Sequence, residues 1–313
     1  QAPAWRVKTV ADADCHHRYT EVALRPLSQA ESSQLVSLLL SNANLPERLR
    51  ANILEKSGGN PFFVEEVVRT LIDSGAVVSE QRGVDGASRL CWVATSEGAD
   101  FAIPDNLQSL LATRIDRLEE DTRQILQLAS VIGRSFFHRV LTAMASDGAE
   151  VHTELDRHLS ALIRMEMIQE AARLPEVEYK FSNPLMQEAT YQTILLKRRR
   201  EFHRRVGEAM ETLFADRLAE LAPRLGYHFA EAQDYERAAK YLTMAGDAAC
   251  RLYAHKEAIV SYDRALAMTL GLGDGSAQLA YLFARKGRAL ELNSQFAEAL
   301  ANYERMEALA KER

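Results

Sequence analysis

Gly58-Gly59-Asn60-Pro61-Phe62-Phe63-Val64-Glu65-Glu66-Val67 reads as the end of one helix and the start of the next. Consecutive glycines accept the left-handed backbone that closes a helix. Proline fits the first helical turn, where its missing N–H is not needed. Phe62, Phe63, Val67, Val68 and Leu71 then recur on one side, the inner face of a helix that ends at Gly75. Such a turn presents backbone N–H groups and the flat apolar ring of Pro61. It serves either as an ordinary helix-to-helix connection or as an edge for a nucleotide base.

Upstream, Ser28 stands three residues before Glu31, a capping box that opens a helix through about Leu40. Thr20–Leu27 reads as a short strand, and Pro46 suits the first turn of a helix over about 46–56. Residues 27–75 thus form a small all-helical unit after a mixed segment, 1–26. Downstream, AVVSE and RLCWVA flank the Gly-containing QRGVDGAS, a hairpin within 76–103. Four helices follow: one holding Leu107 to Ile115, one stopping at Gly133, one over about 135–145, and one from Val151 to Met165. MIQEAA and EVEYKFSN form a second strand pair, and Asn183-Pro184 opens a helix that continues into Lys197–Arg200. Helices followed by a two-strand hairpin is the order of a winged helix, here over 76–200 with an inserted hairpin.

From 201 to 313 the pattern is helical throughout. Three Gly/Ala pairs stand twelve apart: Gly226/Ala238, Gly246/Ala258 and Gly287/Ala299. Tyr262 and Ala265 follow Ala258, and Tyr303 follows Ala299. Small residues at this spacing let two helix axes approach, as in tetratricopeptide helix pairs. Two repeats are expected, about 239–272 and 280–313, with the first Gly/Ala pair reusing one helix. The step from Gly246 to Gly287 exceeds the roughly 34 residues of that repeat, and Leu270–Ser276 is expected to hold the excess as a loop. The fold class is therefore mainly α: a helical lid, a winged-helix domain and a tetratricopeptide-like solenoid.

Composition agrees. Gly 15 and Pro 8 in 313 residues fall below the roughly 12% average for the two. Lys and Arg number 38 against 44 Asp and Glu, a net charge of −6, so a dedicated nucleic-acid binder is not expected. Cys15, Cys91 and Cys250 give neither a disulfide framework nor zinc spacing, and a reduced cytoplasmic setting is expected. No apolar run is long enough to cross a membrane. QAPAWRVKTV has no signal-peptide core and no initiator Met, which suggests a fragment. Phosphate-loop, dinucleotide, zinc-protease and nucleophile-elbow motifs are absent, so neither catalytic nor metal-binding residues are expected here. Gly271–Ser276 reads as linker and His16-His17 as exposed loop. The basic cluster Lys197–Arg200 with Arg204-Arg205 reads as a solvated face paired with Glu201, Glu208 and Glu211.

GGNPFFVEEVVRTL resembles the G-x-P signature of the STAND class of signalling ATPases, in the lid after their AAA+ core. YTEVALRPLSQAESSQLV resembles the segment leading into that lid. IPDNLQSLLATRIDRLEEDTRQILQLASVIGRSF and YKFSNPLMQEATYQTILLKRRREFHRRVGEAME resemble the two ends of the family's winged-helix region. The blocks stand in the family's order over about residues 15–313, nearest to ATPases fused behind class III adenylate/guanylate cyclases. Similar modules occur in LuxR-type transcriptional activators.

The resemblance implies that Pro61 packs against adenine, with Gly59 and Asn60 shaping the turn. It implies a nucleotide-state sensor at Asn183, where the family phrase F-S-H-P-L carries His. Asparagine donates a hydrogen bond but carries no charge, and an N-cap is the other reading of Asn183. ATP or ADP and Mg²⁺ are expected in the parent protein, whose phosphate loop would lie upstream, with residues 1–26 the tail of that core. This chain alone is expected to bind nucleotide weakly and not to hydrolyse it. Expected partners are the intramolecular ATPase core, a cyclase domain, and a protein or peptide at the repeat groove, with no membrane. The competing readings are the regulatory part of a LuxR-type activator and a plain interaction scaffold.

Overall fold

The computed structural model describes residues 24–40, 45–84, 87–95, 103–104, 106–145, 151–174, 176–272 and 276–312. It is mainly helical and divides into two compact units, Gln1–Leu110 and Leu111–Arg313.

In the first unit, α1 (Gln29–Leu39), α2 (Glu47–Ser57) and α3 (Pro61–Asp73) precede the antiparallel pair β1 (Val77–Val84) and β2 (Ala87–Ala94). The expected capping box forms: the Ser28 N–H donates to the Glu31 carboxylate at 2.8 Å, and Ser28 Oγ accepts from the Glu31 N–H. Those Ser28 bonds hold the Glu31 carboxyl below its ordinary range. Pro46 is the N-cap of α2 rather than its first residue. Of the expected Thr20–Leu27 strand, residues 20–23 lie outside the described ones, and Leu24 to Leu27 form no strand.

The hairpin register runs from Val77↔Ala94 to Val84↔Ala87, so most of the expected turn is ladder. Val77, Ile103 and Leu110 share one core with Val36, Leu49, Ile53, Phe63, Val64, Val67 and Leu71, and Trp92 packs against it. The hairpin therefore belongs with the helices, and the compact boundary falls after Leu110 rather than at the expected 75/76. Burial on one face decides this, because an isolated two-stranded hairpin is marginal in water.

α4 (Leu107–Asp116) runs across the boundary. The second unit continues with α5 (Glu120–Ile132), β3 (Ser135–Phe137), α6 (His138–Ala145), α7 (Val151–Arg164), β4 (Ile168–Ala172) and β5 (Glu178–Phe181). The segment expected as a helix over 135–145 thus begins as a strand. Phe136 is fully buried and pairs with Tyr179, so β5 lies between β3 and β4.

α8 (Pro184–Gln192) and α9 (Leu196–Leu213) are separate helices, not the one continuous helix expected. Ile194 is buried at the break, and the Arg199 guanidinium donates to the carbonyls of Ile194 (2.7 Å) and Gln192 (2.9 Å). One cation of the basic run is therefore a clasp on the chain bend.

Five helices follow: α10 (Leu218–Glu231), α11 (Tyr235–Arg251), α12 (His255–Gly271), α13 (Ser276–Leu292) and α14 (Phe296–Glu312). The last two pairs span Tyr235–Gly271 and Ser276–Glu312, shifted from the expected repeat bounds. Only residues 272–275 connect α12 to α13, so the excess length sits in the helices, each of 17 residues, and not in the linker.

Candidate functional site

Five residues shape the turn at 58–61. Gly58 ends α2 with φ 53°. Gly59 has φ 79°, and a Cβ there would overlap the Leu27 carbonyl oxygen. The Leu27 N–H donates to the Gly59 carbonyl at 2.8 Å, which ties the incoming chain to the turn. The side-chain oxygen of Asn60 accepts from the N–H groups of Phe62 (3.0 Å) and Phe63 (3.4 Å), capping α3. Pro61 is the first residue of α3 and is exposed, while Phe63 behind it is buried. The turn is thus locked from inside and offers an apolar ring to solvent.

Beside it lies a cleft of about 460 Å³ lined by residues that include Leu27, Ser32, Leu54, Gly58 and Gly59. Pro61 does not line it. Ser32 is buried at 1% exposure, and its hydroxyl has no hydrogen-bond partner. Sequence reasoning missed it, although its place four before Val36 puts it on the inner face of α1.

Asn183 lies in the other unit. Its side-chain oxygen accepts from the Leu185 N–H at 2.7 Å and caps α8. That bond occupies the oxygen and leaves the amide N–H₂ for other partners.

The repeat residues fall on neighbouring helices. Gly246 on α11 faces Tyr262 on α12, and a Cβ at Gly246 would come within 2.5 Å of that ring. Gly287 on α13 faces the Tyr303 ring on α14 in the same way, and Gly226 on α10 faces Leu242 on α11. Ala238, Ala258, Ala265 and Ala299 are buried along these contacts. As expected for the reused helix, α11 carries both Ala238 and Gly246.

A further regularity carries no glycine signature. Gln233, Tyr253 and Ser294 each stand seven after those glycines and have φ of 60°, 58° and 61°. The next N–H in each turn, of Asp234, Ala254 or Gln295, donates at 2.9 Å to the carbonyl of Phe229, Ala249 or Leu290. This is the helix-closing pattern usually given to Gly or Asn.

Two polar clusters join the helices. Asp247 accepts from Tyr262 Oη (2.7 Å), Tyr281 Oη (3.0 Å) and Arg285 Nε (3.1 Å), tying α11, α12 and α13. Burial, then the hydrogen bond to Asp247, pushes the Tyr262 phenol up. Tyr191 Oη lies 3.0 Å from His203 Nε2, and His203 Nδ1 lies 2.9 Å from His228 Nδ1, a buried chain across α8, α9 and α10. Burial lowers His203 to about 4 and His228 to about 3, so both are neutral near pH 7.

Two of the three carboxylates assigned to the basic run go elsewhere: Glu208 and Glu211 pair with Arg237 at 3.0 and 3.4 Å. Arg205 donates to the Met144 carbonyl. Among the described residues, no group of three or more His, Cys, Asp or Glu could hold a metal ion. No helix among them is long and apolar enough to cross a membrane. His16-His17 and Cys15 lie outside the described residues.

A family model described as a domain of unknown function, DUF8739, matches residues 28–84, from the N-cap of α1 to the end of β1. Comparison with curated proteins gave no match.

Proposed function

We propose that this chain is the regulatory and interaction portion of a STAND-type signalling ATPase, acting on an adenylate/guanylate cyclase in the same parent protein. The observation that carries the reading is the turn at 58–61, which holds the Pro61 ring exposed on a backbone fixed by Gly59, Asn60 and Leu27. An apolar ring on a rigid edge suits the face of a nucleotide base. Module order supports the same reading. Helix, strand, two helices and two strands, with sheet order β3-β5-β4, is the order a winged helix would have and supports that reading. Stacked helix pairs follow it in the manner of tetratricopeptide repeats, whose groove would take a protein or peptide.

With 38 Lys and Arg against 44 Asp and Glu, the chain lacks the extended cationic face that a nucleic-acid backbone requires. That balance favours an intramolecular clamp over a reader of nucleic acid. Mg²⁺ and the nucleotide phosphates would be held by the parent's upstream core, and this chain would contribute the base-side edge. Nucleotide exchange would then shift the equilibrium between closed and open arrangements.

Pro61→Ala in the parent protein is expected to weaken ADP binding about tenfold, the effect of losing one apolar contact worth about 1.4 kcal/mol. Calorimetric titration reads it directly. Unchanged affinity, or tight ATP binding by residues 1–313 alone, would overturn the reading.

A further inference from the structure

Several described arginines of the second unit pair with carboxylates. Arg123 meets Glu120, Arg173 meets Glu170, Arg217 meets Glu220, Arg288 meets Glu291, and Arg237 meets three acids. Arg157 and Arg164 on α7 are among those with no ion-pair partner among the described residues, and they share a concavity. Both line a cleft of about 390 Å³ together with Arg117, which precedes α5. Glu119 is the one carboxylate in that lining. Thr122 and His158, both buried and 2.8 Å apart, also line it.

In a chain with more acids than bases, Arg157 and Arg164 around one concavity that a single acid lines form a local cationic excess. Like charges brought together repel unless an anion offsets them. The neighbouring cleft of about 410 Å³, also lined by His158, differs: Asp121 and Glu154 there balance Arg198 and Arg205. The exposed cations Lys197, Arg198, Arg200 and Arg204 lie along one helix, and Arg198 lines that balanced cleft.

We propose that the cleft between α7 and the start of α5 is an oxyanion site for a small polyvalent phosphate. Arg157 and Arg164 flank the phosphoryl group from α7, with Arg117 on the α4–α5 connection at the edge of the same cleft. Planar guanidinium groups donate paired N–H bonds that match phosphate oxygens. Seven residues apart on α7, Arg157 and Arg164 sit two turns apart on one face, so the site admits pyrophosphate as well as inorganic phosphate. The proposal is independent of the signalling-ATPase reading, because it uses neither Pro61 nor any base-binding edge.

The test is isothermal titration of the 313-residue chain with inorganic phosphate and with pyrophosphate, against sodium chloride at equal ionic strength. Saturable one-to-one binding is expected, tighter for pyrophosphate. Arg157→Gln and Arg164→Gln should each weaken it about tenfold, the effect of removing a charge-assisted hydrogen bond. The double variant Arg198→Gln/Arg200→Gln removes as much charge elsewhere and should leave the affinity within about twofold. All four positions are exposed, and far-UV circular dichroism verifies that the variants fold. Absence of saturable binding would overturn the proposal. So would binding that survives Arg157→Gln and Arg164→Gln, or that falls equally in the α9 variant.

Discussion

Gly59 in the first unit and Gly246 in the second both receive a close neighbour, yet they are constrained differently. Gly59 has a left-handed φ of 79° and is met by the Leu27 backbone. Gly246 is an ordinary helical residue met by the Tyr262 ring, a side chain. The first contact admits no Cβ whatever its partner's side chain. The second is a matter of volume, which a partner substitution can restore. A glycine at a turn and a glycine in a helix pair therefore look alike in sequence and differ in what could replace them.

Acid should separate the two units most strongly. Every described histidine lies in the second unit, and His203 and His228 are neutral in the fold, lowered from 6.5 to about 4 and about 3. The unfolded chain takes up these protons near pH 6.5 and the folded one only far below. The stabilisation is therefore complete above pH 7 and is lost as pH falls through 6.5 towards 4. Linkage gives about 2 kcal/mol per histidine between pH 7 and pH 4.5. Urea unfolding followed across that range should show the second unit weakening first, with a shallower slope in His228→Asn. An unchanged slope in that variant would remove the pair from the explanation.

Gly59→Ala should destabilise the first unit by about 3 kcal/mol, combining left-handed strain of about 1–2 kcal/mol with loss of the Leu27–Gly59 hydrogen bond. Adding Leu27→Ala should give no recovery, because the obstruction is a backbone carbonyl. Recovery in chemical denaturation would show that the two glycines are alike after all.

Gly246→Ala should destabilise by about 2 kcal/mol through overpacking against Tyr262. Combined with Tyr262→Leu, the loss should be less than additive by about 1 kcal/mol, since the added methyl then has room. Strict additivity in the double-mutant cycle would contradict the contact.

Much of the first unit is legible in its residues alone. The Ser28/Glu31 box and the Gly58–Pro61 turn are local, and local rules name them; the cap that Asn60 places on α3 is local too but shows only in the structure. The hairpin's membership was not legible, because Val77 and Trp92 show apolar character but not which apolar face receives them. In the second unit the Gly/Ala spacing exposed the helix pairs, since small residues are required wherever axes approach. The turns at Gln233, Tyr253 and Ser294 stayed hidden, because nothing about those residue types announces a positive φ. Asp247, the His203–His228 pair and the arginine-lined cleft were equally invisible, being assembled from residues remote in sequence.

By itself, then, the sequence determined the helical class, the helix ends marked by local signals (the Ser28 box, the stops at Gly58 and Gly133, the start at Pro61), and the residues that let helices meet. Those depend on backbone preference and on size, which each residue carries with it. Only the tertiary structure decided where the units divide, that Glu208 and Glu211 serve Arg237, and that Arg157 and Arg164 face a cleft with so little negative charge. Those depend on which surfaces lose water against one another and on which charges are left in range, and neither is a property of any segment alone.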